Sequence, residues 1–112
     1  MTYVLTRVDV GPDDLPGQLP LKLTLLRQLP GPDRPDYWLA KPNRPIRWTE
    51  SNRSITHVVV STRFIGASLD RHTRRVCVGL AYVTNDSLLE DPVLDFGKCR
   101  YVAVCDARRA SL

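Results

Sequence analysis

At 112 residues and a net charge of +4, with 43% hydrophobic and 25% charged side chains, the chain has the makeup of one globular domain, 1–112, and not of a disordered or fibrous segment. Its apolar stretches fall short of the ~20 residues of a membrane-spanning helix, and the N-terminus lacks the basic-then-apolar pattern of a secretion signal. Cys77, Cys99 and Cys105 are odd in number, sit in apolar runs and lack zinc or redox spacing, so a cytoplasmic protein with free thiols is expected, without membrane, metal or cofactor.

Thr2–Val10 alternates, with Val4, Thr6, Val8 and Val10 on one face and Tyr3, Leu5, Arg7 and Asp9 on the other, which predicts a half-buried strand. Gly11-Pro12-Asp13-Asp14 and Pro16-Gly17 then form a loop. Leu21–Leu29 also alternates and is read as a strand, although Leu19, Leu23 and Leu26 fit a helical stripe, leaving a helix near 19–29 as the alternative.

Pro30–Trp48 holds five of the nine prolines and both tryptophans. Such proline density fixes φ and removes backbone donors, which predicts two stiff loops around a short strand, Tyr37–Lys41, followed by Ile46–Trp48. Residues 41–75 carry eight basic side chains against Glu50 and Asp70, a net of +6, whereas the flanking parts are each −1. That asymmetry suits either an anionic partner or an arginine-rich solvated surface.

Ile55–Ile65 and Arg74–Thr84 are rich in β-branched residues and predict a hairpin across the turn-like segment Gly66–Thr73. One symmetric register pairs His57 with Tyr82, Val59 with Leu80 and Val60 with Gly79, and a one-residue slip would exchange the faces. Cys77, Gly79 and Ala81 form a small-residue face, expected under a second layer or inside a crowded barrel. In the longer connection Asn85–Gly97, Ser87-Leu88-Leu89-Glu90 has the form of a capping box. Arg100–Ala107 reads as the last strand. The expected fold is mainly β: an antiparallel sheet of about six or seven strands forming a small sandwich or partly open barrel, with at most one short helix.

Catalytic signatures are weak. His57 and His72 fall near opposite ends of the predicted hairpin strand, too far apart to act together. Cys77 and Cys105 sit among valines without a histidine at a useful offset, and Cys99, between Lys98 and Arg100, is an isolated thiol with thiolate-favouring neighbours. Asp86, Glu90, Asp91 and Asp95 lack the spacing of a calcium loop and read as caps and solvated turn residues. Asp95-Phe96-Gly97 spells the kinase magnesium triplet in a chain too short for its partners.

The expected function is therefore a small non-enzymatic protein-binding module of bacterial type, an inhibitor, immunity-like or assembly protein. Its contacts would come from Arg34, Tyr37, Arg44, Arg47 and Trp48, where rigid aromatics and arginines bury area at little entropic cost. The alternative is a single-stranded nucleic-acid-binding barrel, stacking bases on Tyr37, Trp38 and Trp48 beside Lys41, Arg44 and Arg47. A small-ligand or enzymatic barrel ranks below both. Arg71, His72 and Arg74 would form an anion-binding hairpin tip. Symmetric self-association is also expected, because the apolar hairpin needs both faces covered and its edges paired.

Overall fold

The computed structural model describes residues 1–33, 35–48, 53–62, 69 and 75–110. Within them the strands are β1 (Thr2–Val10), β2 (Leu21–Gln28), β3 (Tyr37–Pro42), β4 (Ile46–Trp48), β5 (Arg53–Ile55), β6 (Val58–Thr62), β7 (Arg75–Val83) and β8 (Cys99–Arg109). Six of them close into an antiparallel barrel in the order β1-β2-β3-β6-β7-β8, and β4 with β5 forms a separate two-stranded ribbon. The mainly β expectation holds in its barrel form, with closure complete. The helix alternative near 19–29 is excluded, since Leu21, Leu23 and Leu25 face inward while Lys22, Thr24 and Leu26 face out.

Bulges decide which residues reach the interior. Along β1 the register with β8 steps from Leu5↔Ala107 to Arg7↔Asp106, and from Val8↔Cys105 to Val10↔Val104, so Thr6 and Asp9 are additional residues. Each addition reverses the alternation. Tyr3, Leu5 and Val8 therefore belong to the core, while Val10 is 64% exposed. The even valine face read from the sequence is split.

The hairpin register is the one-residue slip: Val58↔Tyr82, Val59↔Ala81, Val60↔Leu80 and Ser61↔Gly79. Cross-strand partners share a face, so this register puts Val58, Tyr82, Val60, Leu80, Thr62 and Val78 inside together. Cys77, Gly79 and Ala81 consequently point outward, correcting the crowded-interior reading. The predicted strand Ile55–Ile65 is also divided: Ile55 ends β5, β6 begins at Val58, and residues 63–66 lie outside the described set.

One end of the barrel is plugged by Leu15 and the 3₁₀ turn Pro16–Gln18 together with Ile46 and Ile55 of the ribbon, all packed on the interior cluster. The Leu19–Pro20 peptide is cis. Gln18, buried at this plug, bonds the carbonyls of Asp14 and Arg47 through Nε2 and receives the Arg47 N–H at Oε1.

Outside the barrel, residues 84–98 form a compact loop whose ends meet, the Thr84 and Asn85 N–H groups both donating to the Lys98 carbonyl. Leu88 and Leu94 fasten it to Val59, Leu39 and Leu29 in a second core. Fully burying each leucine contributes on the order of 1.5–3 kcal/mol. Arg27 donates to the carbonyls of Leu88 and Leu89, and the Leu94 N–H to Pro30 O at 2.7 Å. The 3₁₀ turn Asp86–Glu90 is capped by Asn85, whose side chain accepts from the Ser87 N–H, so the capping residue lies two positions before the Ser87 of the sequence reading. Asp95 caps Gly97, as expected of the acidic run, whereas Asp91 makes an ion pair with Lys98 at 2.6 Å instead of standing in solvent.

Closure leaves no free edge in the six-stranded sheet, and the outer face over Val59 and Ala81 is covered by the chain's own loop. These were the two physical grounds for expecting a dimer, and within the described barrel neither needs a second copy.

Candidate functional site

The outward residues at the middle of β6 and β7 are small: Ser61, Gly79 and Ala81. Taller side chains stand around them, leaving a groove of about 520 Å³ on the barrel's outer surface. Tyr37 of β3, Leu94 and Phe96 of the loop, and Cys99 and Tyr101 of β8 line it. Tyr37 and Phe96 meet edge to face with centroids 5.8 Å apart and planes at 77°. Phe96 and Tyr101 are 49% and 57% exposed, large apolar surfaces beside a concavity.

Two local devices build the walls. The Tyr37 hydroxyl donates to Asp33 Oδ2 at 3.0 Å, and Gly31 lies so close that a Cβ there would come within 2.6 Å of the ring. The proline-rich loop thus braces Tyr37. Tyr101 faces out because of a bulge: the β7–β8 register steps from Leu80↔Ala103 to Ala81↔Tyr101, making Val102 the additional residue. Regular alternation would have sent Tyr101 inward with Ala103, Cys105 and Ala107.

The polar groups are few. Thr62 Oγ1 donates to Asp36 Oδ2 at 3.1 Å. Burial, reinforced by Asp95, pushes the Cys99 thiol above its ordinary pKa, opposite to the effect expected from Lys98 and Arg100; Lys98 is engaged by Asp91. No histidine, lysine or carboxylate lines the groove among the described residues.

The structure brings one of the sequence-predicted contact residues, Tyr37, to this groove. Arg44 and Arg47 lie beyond the other end of β3, roughly 20 Å of strand away. The Arg44 guanidinium donates to the carbonyls of Gln18 and Pro20, while Arg47 engages Gln18 through its backbone and leaves its side chain exposed. Trp48 pairs with Arg53 in the ribbon, and its side chain is outside the described set. Arg34 and the hairpin-tip residues Arg71, His72 and Arg74 also lie outside it. Trp38 packs against the barrel core, and His57 bonds Thr56. Sequence reasoning missed Phe96 and Tyr101 as contacts, and read Gly79 and Ala81 as a small-residue face without making them the floor of a groove. That small face and the isolated aromatic between Asp95 and Gly97 were the signals available.

On the face formed by β1, β8 and β7, ligand-type atoms of Asp9, Cys77 and Asp106 lie within 4.8 Å of one another. Arg7 already supplies their positive charge, with Nη2 2.7 Å from Asp9 and Nε 2.8 Å from Asp106. These carboxylates raise the pKa of the exposed Arg7 further, the hydrogen bond to Asp106 foremost.

No family model, curated protein or solved structure matches the chain. Among the described residues, no helix is long and apolar enough to cross a membrane. A small β barrel hosts many functions, so fold alone assigns none.

Proposed function

We propose that this protein is a non-enzymatic protein-binding module that holds an apolar side chain of its partner in the groove between Tyr37, Phe96 and Tyr101. The observation that carries this reading is the pair of exposed aromatics, Phe96 and Tyr101, beside a floor of Ser61, Gly79 and Ala81. Aromatics fixed before contact lose little entropy on binding and make effective anchors. Asp33 accepts from Tyr37 and Asp95 caps Gly97 beside Phe96, so a partner segment carrying a basic residue beside its apolar anchor is complementary. The acidic surround weighs against a nucleic-acid strand in this groove. Of the contact set read from the sequence, the proposal rests on Tyr37; the Arg44 side chain serves the barrel plug. A cytoplasmic inhibitor, immunity-like or assembly protein fits three cysteines that form no disulfide.

The test uses a displayed peptide library selected on the intact protein and counter-selected on Gly79→Leu. A Cβ at Gly79 would make only ordinary contacts, 3.7 Å to Ser61 and 3.9 Å to Tyr101, so the variant fills the groove without forcing the strands apart. Peptides with an apolar anchor next to Lys or Arg should be retained by wild type and lost on Gly79→Leu and Phe96→Ala. A selection that converges equally on the filled variant would remove the groove reading. Oligonucleotide binding that weakens steeply with salt would favour the single-strand alternative. A dimer abolished by Gly79→Leu would identify a second copy as the partner.

A further inference from the structure

Arg75 and Arg108 are direct cross-strand partners on β7 and β8. Both are exposed on the outer face, one register pair beyond Val76↔Ala107 and two beyond Cys77↔Asp106. Residues so paired hold their Cβ atoms about 5 Å apart, and like charges there oppose strand association. The carboxylate nearest along the face, Asp106, is held by Arg7 at 2.8 Å, and Arg7 also takes Asp9. Among the described residues no hydrogen bond or ion pair engages the side chain of Arg75 or of Arg108. Together with Thr6, Cys77 and Asp106 they line a recess of about 590 Å³.

We propose that Arg75 and Arg108 form a binding fork for a phosphate group. A guanidinium presents several N–H donors in a rigid plane and binds phosphate or carboxylate oxygens in pairs. Two forks rising from adjacent strands can address one tetrahedral oxyanion from two sides. Their combined charge of +2 matches a phosphate dianion better than a single carboxylate. The repulsion that opposes their pairing in the free protein is relieved when the anion binds. The site is independent of the aromatic groove and does not rest on the protein-binding reading.

The experiment follows arginine side-chain Nε–Hε resonances and melting temperature during titration with inorganic phosphate, phenyl phosphate and acetate, each against chloride at equal ionic strength. Saturable shifts on Arg75 and Arg108 with the phosphates, and weaker ones with acetate, are expected. Arg108→Gln should weaken phosphate binding on the order of tenfold or more, the loss expected from one charged hydrogen bond. Arg75→Lys, which keeps the charge but loses the fork, should also weaken it. In phosphate-free buffer Arg108→Gln should melt at or slightly above the wild-type temperature, because a like-charge contact is removed. Tighter binding of phenyl phosphate than of inorganic phosphate would identify a phosphate carried on a larger molecule, and equal binding a free one. Shifts that chloride reproduces, or that survive in Arg108→Gln, would overturn the proposal, as would a marked loss of stability in that variant.

Discussion

Gln18 and Arg47 are joined by two hydrogen bonds that imitate a strand pair: the Gln18 Nε2 donates to Arg47 O at 2.8 Å, and the Arg47 N–H donates to Gln18 Oε1 at 2.7 Å. A side-chain amide has both a donor and an acceptor, as a peptide group does, so it can extend the ribbon β4–β5 onto the 3₁₀ turn at the barrel's end. The remaining Nε2 proton goes to Asp14 O at 2.9 Å. The buried Gln18 side chain thus ties the turn to the ribbon at the plug.

Gln18→Ala removes these bonds and should cost about 2–3 kcal/mol, since buried polar groups lose their partners. Gln18→Glu should cost more, although it is nearly isosteric. A carboxylate cannot donate, and it would face two carbonyl oxygens. Urea unfolding at neutral pH measures both; equal midpoints for Gln18→Glu and wild type would refute the assignment.

Arg44 and Arg47 look alike in the sequence but occupy different structural positions. Arg44 caps the carbonyls of Gln18 and Pro20, and Arg44→Ala should lower stability by about 1 kcal/mol, near the value of a partly exposed hydrogen bond. Arg47 contributes its backbone alone to the plug, so Arg47→Ala should stay within about 0.5 kcal/mol of wild type. A reversed order in denaturant midpoints would show that the side chains, not the backbone of Arg47, carry the contact.

Gly31 sets the position of Tyr37. A methyl group at Gly31 would lie 2.6 Å and 2.7 Å from two ring carbons, so the ring must move. Gly31→Ala should cost about 1–3 kcal/mol, the range for overpacking. It should also erase the Tyr37–Phe96 contact seen as cross-peaks between their ring protons. Retention of those cross-peaks would mean that the loop yields instead of the aromatic wall.

The fold was legible where alternation is regular and obscure where bulges intervene. β2 reads directly, because Leu21, Leu23 and Leu25 alternate without interruption. Tyr101 does not, because the single additional residue Val102 reverses its face, and nothing local announces a bulge. The hairpin register was ambiguous because Val58, Val59 and Val60 are interchangeable by pattern; only Tyr82 and Leu80 across the strand decide it. The groove is assembled from β3, β6, β7, β8 and a loop, so its residues are neighbours only after the barrel closes. The proline-rich segment supplies the Gly31 and Asp33 contacts to Tyr37 and, through Ile46, part of the barrel plug, instead of the contact surface read from the sequence.

Cys105 makes stability fall at alkaline pH. The side chain is fully buried, and burial first, then the negative potential of Cys77, Asp106 and Asp9, raises its pKa from 9.0 to about 12. Between those values the unfolded chain has released the thiol proton while the folded chain retains it, so folding binds one extra proton. Stability is thus fully present below about pH 9 and declines by about 1.4 kcal/mol per pH unit above it. Cys99 is shifted in the same direction by burial and Asp95, and adds to the decline. Cys105→Ala should be less stable than wild type at pH 7 because of the space it leaves, yet its stability should fall less steeply from pH 9 to 11. Denaturant midpoints taken across that range under reducing conditions give both slopes. If the two slopes coincide, the Cys105 proton is not what the folded barrel retains.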